Sequence, residues 1–293
     1  MKFLILGATG MAGHTITIYL KEQGHSVRVF TRKPFPYAEE IRGDVTDFET
    51  LRGTIQEDNY DAVINCVGIL NQDAERNKYL AVLLNSALPH FLNKITSETT
   101  TRIIHMSTDC VFSGKKGNYT EDAFRDGETF YDRTKALGEL ENNKDLTFRN
   151  SIVGPDMKPE GIGLFNWFMK QNSPIKGYTR AMWTGVTTLT LAKAMEKAAE
   201  DGLTGLYNLV NNSSISKFDL LRLFNAYFKN NKIPIEPDEH LVVDKSLVNS
   251  RTDFSFQVPS YEQMIQEMKT WVDSHRELYP HYFENGKEKG AEI

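Results

Sequence analysis

Tyr131 and Lys135 stand four positions apart in Tyr131-Asp132-Arg133-Thr134-Lys135, a spacing that sets both side chains on one face of an α-helix. A phenol ordinarily titrates near ~10 and transfers few protons at neutral pH unless a cation favours its phenolate. Lys135, one turn on, supplies that cation and has the reach to hold a ribose hydroxyl. Ser107-Thr108-Asp109 ends an apolar run, where a hydroxyl can donate to a carbonyl oxygen that Tyr131 protonates. Thr108, Tyr131 and Lys135 are therefore the candidate catalytic group. Thr108 and Asp109 are also expected against the substrate, and Tyr131 and Lys135 against a cofactor ribose.

Gly7-Ala8-Thr9-Gly10-Met11-Ala12-Gly13 is the second constellation. Glycines let a backbone turn tightly and approach a pyrophosphate whose charge rests at a helix N-terminus. Gly7, Thr9, Gly10, Met11 and Gly13 are the expected contacts. In a site for NAD, an Asp or Glu about 20 residues further on holds the ribose hydroxyls. Here Phe30 leads instead into Thr31-Arg32-Lys33. A hydroxyl and two cations match a 2′-phosphate, which a guanidinium meets as a fork, so NADP is the expected cofactor. Asp44, with Val45 beside it, is set to reach the adenine amino group, while Asp47 reads as a helix N-cap. Asn65-Cys66-Val67-Gly68 ends in a small residue, which lets the cofactor lie against the backbone at Cys66 and Gly68.

The elements that must position these groups follow from the apolar pattern. Strand-like runs at 2–6, 26–30, 61–67, 102–107 and 146–153 alternate with helical segments at 11–23, 48–58, 79–96 and 131–142, the third broken near Pro89. Near-continuous apolar strands separated by crossover-length helices predict an α/β fold, a Rossmann-like doubly wound parallel sheet covered on both faces. Ligands of such sheets bind at the C-terminal strand ends, where both constellations fall.

From about Gly154 the chain becomes rich in glycine, proline and aromatics, which predicts a smaller C-terminal substrate lobe. The expected division is 1–153 for the NADP-binding Rossmann-like domain and 154–293 for the lobe, with 204–211 returning a strand to the main sheet. Further helices are expected at 188–200 and 261–275, and a loose tail from 284 to 293. Trp183 is a candidate sugar-stacking ring and Arg251 a candidate diphosphate clamp. Phe165, Trp167 and Tyr178 either stack on ligand or fill the core. Arg149 reads as a pocket residue or half of a buried ion pair, and His105 as a satisfied core residue.

Composition removes other classes. The 293 residues are 40% hydrophobic and 25% charged, the profile of a folded domain. A net charge of −5 with no basic block offers no footprint for nucleic acid, and no apolar run is long enough to suggest a membrane span. Cys66 and Cys110 are too few for a disulfide framework and read as reduced core thiols; seven scattered histidines predict no metal site. The first residues already read as a strand, so a cytoplasmic protein without a leader is expected.

The motifs carry a family resemblance. GxxGxxG, then Ser107-Thr108-Asp109-Cys110-Val111-Phe112-Ser113-Gly114, then Tyr131-x-x-x-Lys135 resemble the extended short-chain dehydrogenases/reductases in order and spacing. Residues 106–140 are most similar to the dTDP-4-dehydrorhamnose reductase branch. The resemblance is good over roughly 1–155 and loose beyond, where Lys245-Ser246-Leu247 only echoes the branch element Arg-Pro-x-x-Ser-x-Leu. Asp132 also departs from the small residue usual after the tyrosine. The resemblance implies hydride transfer from NADPH to the keto group of a nucleotide-linked deoxysugar, feeding polysaccharide assembly, and is compatible with a homodimer.

Three other activities are open to this framework. A 4,6-dehydratase of the same fold would need Thr-Asp-Glu, and Cys110 replaces that glutamate. A 4-epimerase retains NAD, against which Arg32 and Lys33 argue. A cofactor-binding regulatory subunit would keep the same residues without turnover.

Overall fold

The computed structural model describes residues 1–283, so the segment read as a loose tail lies outside the described residues. Seven strands form the main sheet: β1 (Lys2–Leu6), β2 (Ser26–Thr31), β3 (Glu39–Arg42), β4 (Ala62–Asn65), β5 (Arg102–Ser107), β6 (Leu146–Arg149) and β7 (Gly205–Asn208). All pair in parallel, in the spatial order β7-β6-β5-β4-β1-β2-β3. Leu6 is paired with both Phe30 and Asn65, and Asn65 with His105, so the C-terminal ends of β2, β1, β4 and β5 lie level. The direction of winding reverses between β1 and β4, which opens the crevice that ligands of doubly wound sheets use.

Alternation along β1 sends Phe3 and Ile5 into one apolar core and Leu4 and Leu6 into the other. The first core continues through helices Met11–Glu22 and Thr188–Asp201 into Phe165, Phe168, Trp183 and Phe224. The sheet and the C-terminal segments therefore share one packed interior. Among the described residues no helix is long and apolar enough to cross a membrane.

Three local departures from the sequence pattern have physical reasons. The segment read as one helix at 79–96 is helix Lys78–Ala81, a wide π turn at Val82–Ala87 and helix Leu88–Thr96. Pro89 has no N–H for the Asn85 carbonyl, and Gly138 packs against that carbonyl instead, where a Cβ would collide. The run at 146–153 divides at Asn150: β6 stays in the sheet, while Ser151–Val153 pairs with Gly185–Thr187. The helix expected at 131–142 is Phe130–Leu137: Thr129 and Asp132 close a capping box at its start, and Gly138 ends it. The unusual Asp132 is thus a buried member of that capping box.

Beyond β6 the chain builds three small sheets and helices Leu164–Met169, Lys217–Lys229 and Tyr261–Ser274. Lys217–Lys229 went unread in the sequence, although Ser216 caps it by accepting from the Asp219 N–H at 3.0 Å.

Candidate functional site at the strand ends

The glycine turn leaves β1 through Gly7 at φ +83°, where an added Cβ would sit 3.1 Å from the Cys66 carbonyl carbon and oxygen. Only glycine takes that conformation so close to the end of β4 without strain. Gly13 packs its bare Cα onto the Gly7 carbonyl and locks helix to strand. Gly10 donates its N–H to that carbonyl at 3.1 Å and caps Met11–Glu22 with no side chain and no acidic residue in the first turn. The positive end of the helix is thereby left for an external anion. Thr9 and Met11 form the half-buried rim, and the Met11 Sδ lies 3.7 Å from Asn166 Nδ2 of the lobe.

At the end of β2, Thr31 is buried and donates from Oγ1 to the Lys33 carbonyl at 2.9 Å. Arg32 is 74% exposed, and its guanidinium lies 3.6 Å from Asp44. Asp44 accepts from the Thr46 N–H and hydroxyl at 2.9 and 2.8 Å. Those bonds, with Arg32, hold its carboxyl below the usual range against partial burial. Asp47 caps Phe48–Gln56 by accepting from the Thr50 N–H at 3.1 Å. Val45 packs half-buried beside this turn.

Below the turn, Cys66 and Gly68 follow β4, and a Cβ on Gly68 would come 3.2 Å from Asn85 Oδ1. Cys66 and Cys110 are free thiols, both pushed up to about 12 by burial. Thr108 follows β5, accepts from the Cys110 N–H at 3.1 Å and donates to Asp109 Oδ1 at 3.1 Å. Asp109 is buried, which raises its carboxyl, while Lys245, the Thr108 hydroxyl and Lys217 pull the other way.

Tyr131 is 7% exposed. Burial and the neighbouring Cys110 raise its phenol above the ordinary value, and a hydrogen bond with Thr108 opposes the rise. Lys135 Nζ donates to the Met106 carbonyl at 2.6 Å, and burial pushes the ammonium down to about 8. Its charge acts on Cys66 and His105 beneath the crevice. The spacing sets Lys135 one turn from Tyr131, while burial, Cys110 and Thr108 are the largest influences on the phenol.

A buried polar network under β5 had no motif to announce it. Ser107 Oγ donates to Glu139 at 2.6 Å, and Arg149 holds the same carboxylate through Nε at 2.9 Å and Nη2 at 2.8 Å. Arg125 adds a further ion pair. Burial would raise the Glu139 carboxyl, but the bonds and charge of Arg149 and Arg125 outweigh it and hold it below its ordinary value. Arg149 is therefore a buried ion-pair partner, not a pocket residue. His105 is only half satisfied: Nδ1 faces Asn65 Nδ2 at 3.2 Å, and Nε2 is buried without a hydrogen-bond partner.

Two expected ligand contacts are not brought here. Arg251 donates from Nη1 to the Thr204 and Leu206 carbonyls at 2.7 and 2.8 Å and pairs with Asp253. It clasps the N-terminal end of β7, at the opposite end of the strands from the crevice, so it is no diphosphate clamp. Trp183 is 6% exposed and packs in the core, 5.6 Å from the Tyr261 ring. Phe165 is likewise core, whereas Trp167 and Tyr178 are partly exposed, at 43% and 39%. Among the described residues one cluster has ligand-like donors, His25, Glu196 and Glu200 at the far side of the fold.

Sheet order, glycine turn and strand-end crevice define an extended short-chain dehydrogenase/reductase-like fold. Residues 1–246 match the RmlD substrate binding domain, and the chain belongs to that family. It is 30% identical over 232 residues to a probable low-salt glycan biosynthesis reductase of Haloferax volcanii, covering 75% of this chain and 77% of that one. A dTDP-4-dehydrorhamnose reductase of Streptomyces griseus is 31% identical over 140 residues, covering 47% of this chain and 43% of that enzyme, so the match spans less than half of that relative. A dTDP-4-dehydrorhamnose reductase from Bacillus anthracis, solved in complex with NADP, superposes with a TM-score of 0.77. The two are 21% identical, with 92% of this chain and 99% of that chain covered.

Proposed function

We propose that this protein is an NADPH-dependent reductase that converts the keto group of a nucleotide-linked deoxysugar to an alcohol. The observation that carries the reading is the corner formed by Thr108, Tyr131 and Lys135, at the C-terminal ends of β4 and β5 and level with an uncapped helix N-terminus. NADPH, when bound, supplies the hydride. Gly7, Gly10 and Gly13 fit its pyrophosphate, Thr31, Arg32 and Lys33 its 2′-phosphate, and Asp44 and Val45 its adenine. Cys66 and Gly68 line its path toward Lys135, which holds the ribose. Thr108 orients the ketone oxygen, and Tyr131 gives its proton to the forming alkoxide.

The protonated phenol suits reduction, which consumes a proton at the oxygen. Cys110, protonated at neutral pH, supplies no base for dehydration.

The experiment is loss of NADPH absorbance with a panel of 4-keto-6-deoxy nucleotide sugars generated in the assay. Consumption with one member supports the reading. Tight NADPH binding with no consumption by any member overturns it in favour of a regulatory subunit.

Two subsidiary outcomes follow from the charges. Arg32→Ala is expected to weaken NADPH binding about tenfold while leaving NADH nearly unaffected, since one exposed charge-assisted contact to the 2′-phosphate is lost. Equal NADPH dissociation constants would remove Arg32 from the site. For Lys135, the charged form exists below about 8 and is lost above it, so kcat/KM should fall as pH rises through that value. The unfolded chain keeps the proton to about 10.5, so over the same interval Lys135's contribution to stability rises with pH. A pH profile flat to pH 10 would contradict the assignment.

A further inference from the structure

Two cations of the C-terminal segments, Lys217 and Lys245, make no ion pair among the described residues. Ser216 and Asp244 both pair with Met182, the middle of the strand Ala181–Trp183, from opposite flanks. Lys217 and Lys245 are the next residues along, so they leave the small sheet on either side of that strand. The Lys245 stem packs over Gly114, whose added Cβ would come 2.9 Å from Lys245 Cγ. That glycine lies in the loop that continues from Thr108 and Asp109. Both lysines are half-buried, and among the described residues neither has a carboxylate oxygen within 4.0 Å. Elsewhere Lys115, Lys193 and Lys197 sit 2.5, 2.9 and 2.5 Å from theirs.

Both unpaired charges are felt by one buried carboxylate, Asp109, which accepts from the Thr108 hydroxyl. They therefore border the corner where the ketone would be reduced. An arriving group with two negative charges would give both ammonium groups a partner. In a pyranose, carbon 4 and carbon 1 lie across the ring, so a phosphate on carbon 1 stands one ring width from Thr108.

We infer that Lys217 and Lys245 receive the diphosphate that joins the sugar to its nucleoside, one from each flank of the strand Ala181–Trp183. The assignment rests on the nucleotide-sugar reading above and specifies which residues carry it. Compact ammonium groups suit the spread charge of a diphosphate without demanding a fixed fork geometry.

The test is calorimetric titration of the full chain, saturated with NADP, with thymidine 5′-diphosphate and uridine 5′-diphosphate. The pair Lys217→Gln and Lys245→Gln together is expected to weaken binding of the preferred diphosphate about 30-fold or more, from loss of two charge-assisted contacts. Lys217→Arg with Lys245→Arg should keep most of the affinity. NADPH affinity and thermal unfolding of all variants should match the parent, which separates the effect from misfolding. If the double Gln variant binds diphosphate as the parent does, the lysine assignment is overturned and the substrate reading stands. If the parent binds NADPH but neither nucleoside diphosphate, the nucleotide-sugar reading fails and the inference goes with it.

Discussion

Tyr131→Phe is expected to lower turnover of the keto-sugar by about 10²–10⁴-fold, the contribution of a positioned general acid, with NADPH affinity within about twofold of the parent. The substitution removes one oxygen and keeps the ring, which packs against Ala74, Ala81, Ile69 and Phe130. Folding should therefore survive, and the loss should appear in kcat rather than KM. The phenol carries its proton at neutral pH, as an ordinary tyrosine does, and Thr108 bonds to it. Single-turnover measurement of NADPH oxidation, beside direct cofactor titration, checks the split. Full turnover in the variant would mean that the proton comes from elsewhere.

Glu139→Gln is expected to destabilise the fold by about 3–5 kcal/mol, because it strands the Arg149 guanidinium in a dry interior. Arg149 is 0% and Glu139 1% exposed in side-chain area, so water cannot replace the missing charge. Gln has nearly the volume of Glu, so the loss is electrostatic and not a cavity. Arg149 also reaches Asn208 Oδ1 of β7 at 3.3 Å and lies over the Phe112 ring at 4.9 Å, which ties the network to the last strand and the Thr108 loop. Denaturant unfolding of the variant measures the cost. Glu139→Gln combined with Arg149→Met should recover part of it, since no unpaired buried charge remains. A loss below about 1 kcal/mol in the single variant would show that the pair is not needed to hold the carboxyl end of β5.

The same network shows where reading the sequence stops. Glu139 follows helix Phe130–Leu137 without any apolar period around it, and Arg149 sits in a run that reads only as strand. Nothing local distinguishes such residues from solvated charges. They meet because β5 and β6 are neighbours, with Ser107 paired to Arg149, and because Gly138 turns the chain back under them. Arg251 gives the opposite lesson. An arginine in the glycine- and proline-rich C-terminal half invites a phosphate role, yet its bonds to Thr204 and Leu206 put it at the wrong end of β7.

Trp183 invites a stacking role because its local sequence, Met182-Trp183-Thr184-Gly185, reads as a glycine-bounded loop. Tertiary packing decided otherwise, since Tyr261 covers it and Gly185 has no side chain to hold it off. The wide turn at Val82–Ala87 was half legible: Pro89 announces a break, but only contact with Gly138 explains why it falls before the proline.

By itself the sequence determined the parallel sheet, the glycine turn at the end of β1 and the helical spacing of Tyr131 and Lys135. These depend on local rules: apolar period, the φ that glycine allows, and the rise of one helical turn. The tertiary structure alone decided that burial raises the phenol, that Lys135 turns to the Met106 carbonyl, and that Lys217 and Lys245 flank one strand. Those are properties of burial and of charges distant in sequence, and desolvation and Coulomb energy depend on distances through space that no local spacing encodes.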